Sequence, residues 1–463
     1  MTRQNEKYGL DMCSGPLLRK VLEFSLPLML TGVLQLLFNA ADIIVVGQFA
    51  GQTALAAVGS TSSLINLIVN LFMGLSVGAS VVVARSYGAG DHQSVSKALH
   101  TSVALSLISG ILVGTAGFCL SRTLLEMMDS PFDVIDQAEL YLKIYFIGVP
   151  ASMIYNYCAA ALRAIGDTRR PLIYLTISGV VNVVLNLVLV IFFDMGVAGV
   201  AIATVASQVV SMALILVCLV RSGGCIHLDF RKVRIHIAQL TDILKIGLPA
   251  GLQSSVFSVS NVLIQSSINS FGSAVIAANS AASNLEGFIY IVMNSVSQAA
   301  LTFTGQNIGA RRYDRIPRIL GVCCGLVTAA GVLVGGAAYL LGPQLLNLYI
   351  DQSAKDLEKI ISTGMLRLLF IAIPYFICGI MEVLAGIMRG CGYSMTPMIV
   401  STLGACGFRI LWIFTIFAAN RTLETLYLSY PISWILTSLA HLICFAIVWR
   451  KMPHTAMPLQ ENA

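Results

Sequence analysis

The sequence predicts an all-α polytopic membrane protein: twelve transmembrane helices in two pseudo-symmetric six-helix lobes. Three observations predict it. The 463 residues are 57% hydrophobic and 11% charged, with a mean hydropathy of +0.84, whereas a soluble domain carries roughly 25% charged residues. Twelve apolar segments follow one another, and about 20 apolar residues suffice for a helix to cross a bilayer. The two halves of the chain also repeat each other.

The segments fall near residues 21–46, 54–84, 97–120, 138–162, 171–193 and 197–220, then 243–270, 275–304, 317–341, 361–388, 396–418 and 426–449. The connections alternate in character. Both flanks and the even-numbered loops are basic, with Arg19 and Lys20, Arg85 and Lys97, Arg163, Arg169 and Arg170, Arg311, Arg312, Arg315 and Arg318, Arg389, and Arg450 and Lys451. The odd-numbered loops are short and neutral or acidic, as in EMMDSPFDVIDQAE (126–139). Basic loops stay in the cytoplasm, so both termini are expected there, in the cytoplasmic (plasma or inner) membrane. The polar start MTRQNEKYGLDMCSG lacks the apolar core of a signal peptide, so the first apolar segment is expected to remain as a helix.

The longest basic connection, RSGGCIHLDFRKVRIHIAQLTD (221–242), reads as a solvated linker between lobes 15–220 and 243–451, with a surface amphipathic helix as the alternative. The repeat is legible on either side of it. GQTALAAVGSTSSL (51–64) answers GSAVIAANSAASNL (272–285), and LEFSLP (22–27) answers LKIGLP (244–249). SYGAGDHQSVSKAL (86–99) answers QNIGARRYDRIPRIL (306–320), and ALRAIGDTRRPLI (161–173) answers IMRGCGYSMTPMI (387–399). An even number of spans per half gives both repeats one orientation, the architecture of transporters with a pathway between repeats.

Other function classes find little here. The eleven cysteines are scattered, without CxxC or zinc-like Cys/His spacing. The six histidines do not cluster, and dinucleotide and P-loop patterns are absent. The expectation is therefore no enzyme activity, no cofactor and no nucleic acid partner. The net charge of +6 reports topology.

The order and spacing of these strings resemble the multidrug and toxic compound extrusion (MATE) family over roughly residues 15–450. The similarity rests on the LP pair early in the first helix of each lobe, on AADIIVVGQFAG around Asp42, and on LRAIGDTRRP with MRGCGYSMTP. NVVLN (182–186) followed by GVAGVAIAT (196–204) is similar to the family's fifth and sixth helices. The resemblance implies a V-shaped, two-lobed exporter, expected here as a monomer in the lipid bilayer. It would couple entry of Na+ or H+ to extrusion of organic, often cationic, drugs or metabolites.

Ionisable residues inside membrane helices face the bundle interior and mark a pathway. Asp42 lies about 22 residues into a helix that starts inside near Lys20, in its outer half at 1.5 Å per residue. Asn182 and Asn186, four apart on one face of the fifth helix, and Thr204 on the sixth reach a comparable depth. Their oxygens suit a hard cation, and a lone buried carboxylate can instead take a proton. Asn and Thr also serve as interhelical hydrogen-bonding groups. The resemblance implies that Asp42, Asn182, Asn186 and Thr204 form the cation site of the first lobe. The position of Asn186 is commonly Asp in the family, so this chain leaves the choice between Na+ and H+ open.

The second lobe places Glu286, Glu382 and Arg409 inside apolar runs. Either acid can pair with Arg409, act as a second proton site or face a ligand. Negative charge at low dielectric would attract a lipophilic cation, with Met293, Met381 and Phe288 as adaptable contacts. Gln35 and Asn39, on the Asp42 face of the first helix, and Gln253 and Ser254, at nearly the same place in the second lobe, are candidate cavity residues. Arg163 and Arg389 occupy equivalent positions, suited to anchoring or to closing an inner gate. A lipid-linked oligosaccharide flippase of a related two-lobed fold is the alternative. It would call for several inward Arg or Lys residues, where only Arg409 is clearly intramembrane.

Overall fold

The computed structural model describes residues 9–128, 132, 134–350 and 357–452. Residues 1–8 of the polar start and part of the acidic loop 126–139 lie outside them. Long helices follow the predicted order: α1 (Leu17–Ala50), α2 (Gln52–Gly88), α3 (His92–Met127), α4 (Ile135–Ala164), α5 (Arg169–Phe192) and α6 (Gly196–Arg221). After the linker come α7 (Ile237–Asn269), α8 (Ser273–Gly309), α9 (Ile316–Leu340), α10 (Leu357–Gly390), α11 (Met395–Phe417) and α12 (Leu423–Lys451). No strand occurs among the described residues. This is the all-α polytopic class expected from composition. Among the described residues, ten of the helices are long and apolar enough to cross a membrane. The others, α2 and α7, are 37 and 33 residues long, and α7 is diluted by a Ser, Gln and Asn-rich stretch, LQSSVFSVSNVLIQSSIN.

The chain forms two compact units that exchange short segments. Of the described residues, 9–11 and 26–251 form one, and 12–25 and 252–452 the other. The start of α1 thus belongs to the second unit and the start of α7 to the first. Small residues make the α7 exchange close-packed. A Cβ on Gly74 or Gly78 of α2 would overlap the α7 backbone at Gly251 or Ile243. In the second unit, Phe24 of α1 meets Phe303 of α8 edge-on, ring centroids 5.9 Å apart, and Asn307 donates to the Met12 carbonyl at 3.0 Å.

Apolar helices have no hydrophobic drive to associate within lipid, so close packing between small residues takes its place. In the first unit, α3 presents Gly110 and Gly117 to α4. A Cβ on Gly110 would stand 2.6 Å from the Pro150 Cα, and one on Gly117 would strike the Phe146 ring. In the second, α10 presents Gly390, whose added Cβ would stand 2.7 Å from the Leu301 carbonyl of α8.

The sequence repeat recurs in the backbone. Gly51 before α2 and Gly272 before α8 have φ of +88° and +96°. Gly166 after α4 and Gly392 after α10 have φ of +96° and +86°. These left-handed conformations suit glycine, which has no Cβ to clash. Both pairs sit at matching repeat positions, so one turn chemistry is used twice.

The linker is less solvated than its charge suggests. It contains two single 3₁₀ turns, Gly224–Ile226 and Phe230–Lys232, and no amphipathic surface helix. Residues 237–242 instead form the first turns of α7. Cys225, Ile226 and Leu228 are buried, and Leu228 N–H bonds the Leu219 carbonyl of α6 at 3.1 Å.

Candidate functional site

The first unit brings Asp42, Asn182 and Asn186 together. The Asn186 amide donates to Asp42 Oδ1 and stands 3.4 Å from Asn182 Oδ1. Asn182 and Asn186 are buried, and Asp42 is half-buried. Packing one turn away fixes this meeting. Gly179, three residues before Asn182, leaves the space that the Phe38 ring of α1 occupies, and Phe38 is four residues before Asp42. A ring seated at a glycine thus sets the register of α1 on α5 and carries the carboxylate to the asparagines.

Among the described residues, no Lys or Arg pairs with Asp42. Tyr141 of α4 is its electrostatic neighbour; no residue type or spacing in the sequence singled this tyrosine out. Asn186 Oδ1 is buried without a hydrogen-bond partner. Thr204 behaves differently from the other three. Its hydroxyl donates to the Val200 carbonyl of its own helix at 3.0 Å. The cluster holds one carboxylate and two side-chain amides, an environment for a proton or one hard cation.

The second unit contains an ion pair that the sequence did not disclose. Arg367 of α10 grips Glu286 of α8 through two hydrogen bonds, Nε to Oε1 at 2.8 Å and Nη2 to Oε2 at 2.7 Å. Its Nη1 donates to Asn279, whose own amide donates to Gln265 of α7 at 3.0 Å. The Tyr427 ring of α12 lies 5.7 Å from the guanidinium carbon. The signal for Arg367 was present: a lone arginine in the apolar run MLRLLF.

Arg409 therefore does not pair with Glu286. It donates from Nε to Ser433 Oγ at 2.9 Å and stacks over the Tyr430 ring at 4.2 Å. Glu382 has no hydrogen-bond or ion-pair partner for its carboxylate among the described residues; Arg389 acts on it electrostatically. Arg389 itself donates to Gln253 Oε1 of α7 at 2.8 Å. Gln253 is buried in that contact, whereas Gln35, Asn39 and Ser254 are exposed. Met293 and Met381 are packed in the unit's interior.

Comparison with known proteins bears on the family and the fold. The MatE family profile matches residues 27–188 and 249–415, one stretch in each half. This chain belongs to the MATE family, a family of membrane transporters. It is 28% identical over 393 residues to the probable multidrug resistance protein YpnP of Bacillus subtilis, covering 85% of this chain and 87% of that protein. It is 26% identical over 445 residues to the probable multidrug resistance protein YoeA of the same organism, covering 94% of each. A crystal structure of MATE in complex with MaL6 superposes with a TM-score of 0.89 at 21% identity, covering 97% of this chain and 99% of that one. At that identity the likeness shows the shared MATE fold.

Proposed function

We propose that this MATE chain is a cation-coupled secondary-active exporter of organic, cationic compounds, with Asp42 as the residue that takes up the coupling ion. The observation that carries the proposal is the environment of Asp42: a carboxylate in a membrane helix, bonded by the Asn186 amide and unpaired with any basic residue described. A carboxylate held by a permanent basic partner would be locked in its charged form. One held by an amide can be neutralised and released.

A proton is the favoured coupling ion. The Asn186 N–H already lies between Asp42 and Asn182 Oδ1, where a cation would have to displace it. Na+ is the second reading, supported by the unpartnered Asn186 Oδ1, which could turn to a cation with Asp42 and Asn182 Oδ1. The unpaired Glu382 favours a cationic substrate. The basic loops favour both termini in the cytoplasm, with residues 15–220 and 243–451 as two lobes in alternating access and 221–242 between them.

Purified protein in liposomes tests this with a lipophilic dye cation. Export is expected under an imposed pH gradient alone and lost in Asp42→Asn. Transport only with a Na+ gradient would replace the proton with Na+. Unchanged transport by Asp42→Asn would remove Asp42 from the mechanism.

A further inference from the structure

The linker meets α3 through two histidines whose hydrogen bonds fix their protonation. His100, buried on α3, has Nδ1 2.7 Å from the Ser96 carbonyl and 3.4 Å from the Ser96 hydroxyl. A carbonyl only accepts, so Nδ1 carries a proton. The opposite nitrogen, Nε2, receives the backbone N–H of Asp229 from the linker at 3.2 Å. A backbone N–H only donates, so Nε2 carries none.

His236 repeats this arrangement at the other end of the linker. Arg234 Nε–H donates to His236 Nε2 at 3.2 Å, so that nitrogen is also bare. The proton is then on Nδ1, 3.2 Å from Thr101 Oγ1, which also accepts the His236 backbone N–H at 3.1 Å. Both rings are neutral when the linker is docked. A proton added to either Nε2 would face a donor that cannot turn into an acceptor.

The surrounding charges work in the same direction. Burial first, then Arg234, Lys97 and His100, hold the His236 imidazole below its ordinary range. The acid at hand, Asp229, is engaged elsewhere: it accepts the Arg231 N–H at 3.0 Å and pairs with Lys232 at 3.5 Å. Among the described residues, neither α2 nor α4, which also pack on α3, brings a hydrogen bond or ion pair to the His100 ring.

We propose that His100 and His236 form an acid-sensitive clamp that holds linker residues 222–236 on α3 only while both imidazoles are neutral. The sign follows from linkage. The docked state excludes protons that the released linker accepts, so docking is complete above the ordinary histidine range and is lost as pH falls through it. α7 begins at Ile237, directly after His236, so release frees the start of a helix that packs on α2. On the orientation proposed above, the clamp reads cytoplasmic pH; its chemistry does not depend on that orientation or on the coupling ion.

Limited trypsin digestion of the full-length protein in nanodiscs, at Arg231, Lys232 and Arg234, tests the clamp. Glutamine keeps an acceptor near the Nε2 position and cannot be protonated, so His100→Gln/His236→Gln is the reference that cancels the protease's own pH dependence. Linker cleavage of wild type relative to this variant is expected to rise about tenfold or more from pH 7.5 to 5.5, since each linked proton changes the equilibrium by up to about tenfold per pH unit. A constant ratio would overturn the clamp, unless the variant is already open at pH 7.5. Histidine NMR on wild type decides that case. The His100 and His236 rings must titrate together with loss of linker protection; protonation of both while the linker stays protected overturns the proposal.

Discussion

The carboxylate of Asp42 accepts a hydrogen bond from the amide of Asn186, across the contact between α1 and α5. This bond meets one carboxylate oxygen without supplying a counter-charge. Protonation therefore has a local consequence: the amide loses its anionic acceptor. The cluster can couple an ion to a helix contact because an amide, unlike a guanidinium, leaves that exchange open. Asp42→Asn should abolish coupled export, measured as dye efflux from proteoliposomes, while the protein still folds and inserts at wild-type yield. Wild-type efflux by this variant would contradict the assignment.

Asn186→Asp should convert the cluster toward Na+. Two carboxylates at one level attract a hard cation more strongly than one carboxylate and an amide. Na+-dependent thermal stabilisation of the purified variant should exceed that of wild type. An unchanged Na+ response would count against Asn186 facing a cation.

Gly179→Val should separate α1 from α5. The added side chain would enter the Phe38 ring, and overpacking of a close contact costs about 1–3 kcal/mol. Transport should fall sharply, and Phe38→Ala in the same chain should restore part of it by vacating the space. Failure of that second substitution to restore any transport would argue against the ring as the spacer.

The spans and the Asp42 cluster were legible because membrane depth can be counted along a helix. Asp42, Asn182 and Asn186 could be assigned to one level from 1.5 Å per residue and the direction of each span. Rotation about each helix axis could not be counted. Depth and the family resemblance grouped Thr204 with the cluster; its hydroxyl donates to Val200 on its own helix. Depth without rotation offered Arg409 as a partner for Glu286, when Arg367 faces that acid and Arg409 lies on Tyr430. The linker's folding back onto His100 and Thr101 joins residues 129 and 135 positions apart, a relation no local pattern carries.

The pairing of Arg367 with Glu286 makes a separable prediction about stability. Both side chains are buried, with relative exposures of 7% and 9%. Removing one partner leaves a charge or its donors unmet in a low-dielectric interior, at a cost of about 3–5 kcal/mol. Arg367→Met should lower the melting temperature of the detergent-purified protein markedly, because Glu286 and Asn279 both lose their donor. The double variant Arg367→Met/Glu286→Leu removes both charges and should recover much of the loss, since a buried ion pair is often no better than an apolar pair of similar volume. If Glu286 carried the coupling ion, the stable double variant would be inactive. If Asp42 carries it, the double variant should still export. Measuring melting temperature and efflux on the same preparations separates an ion pair that holds α8 to α10 from one that takes part in transport.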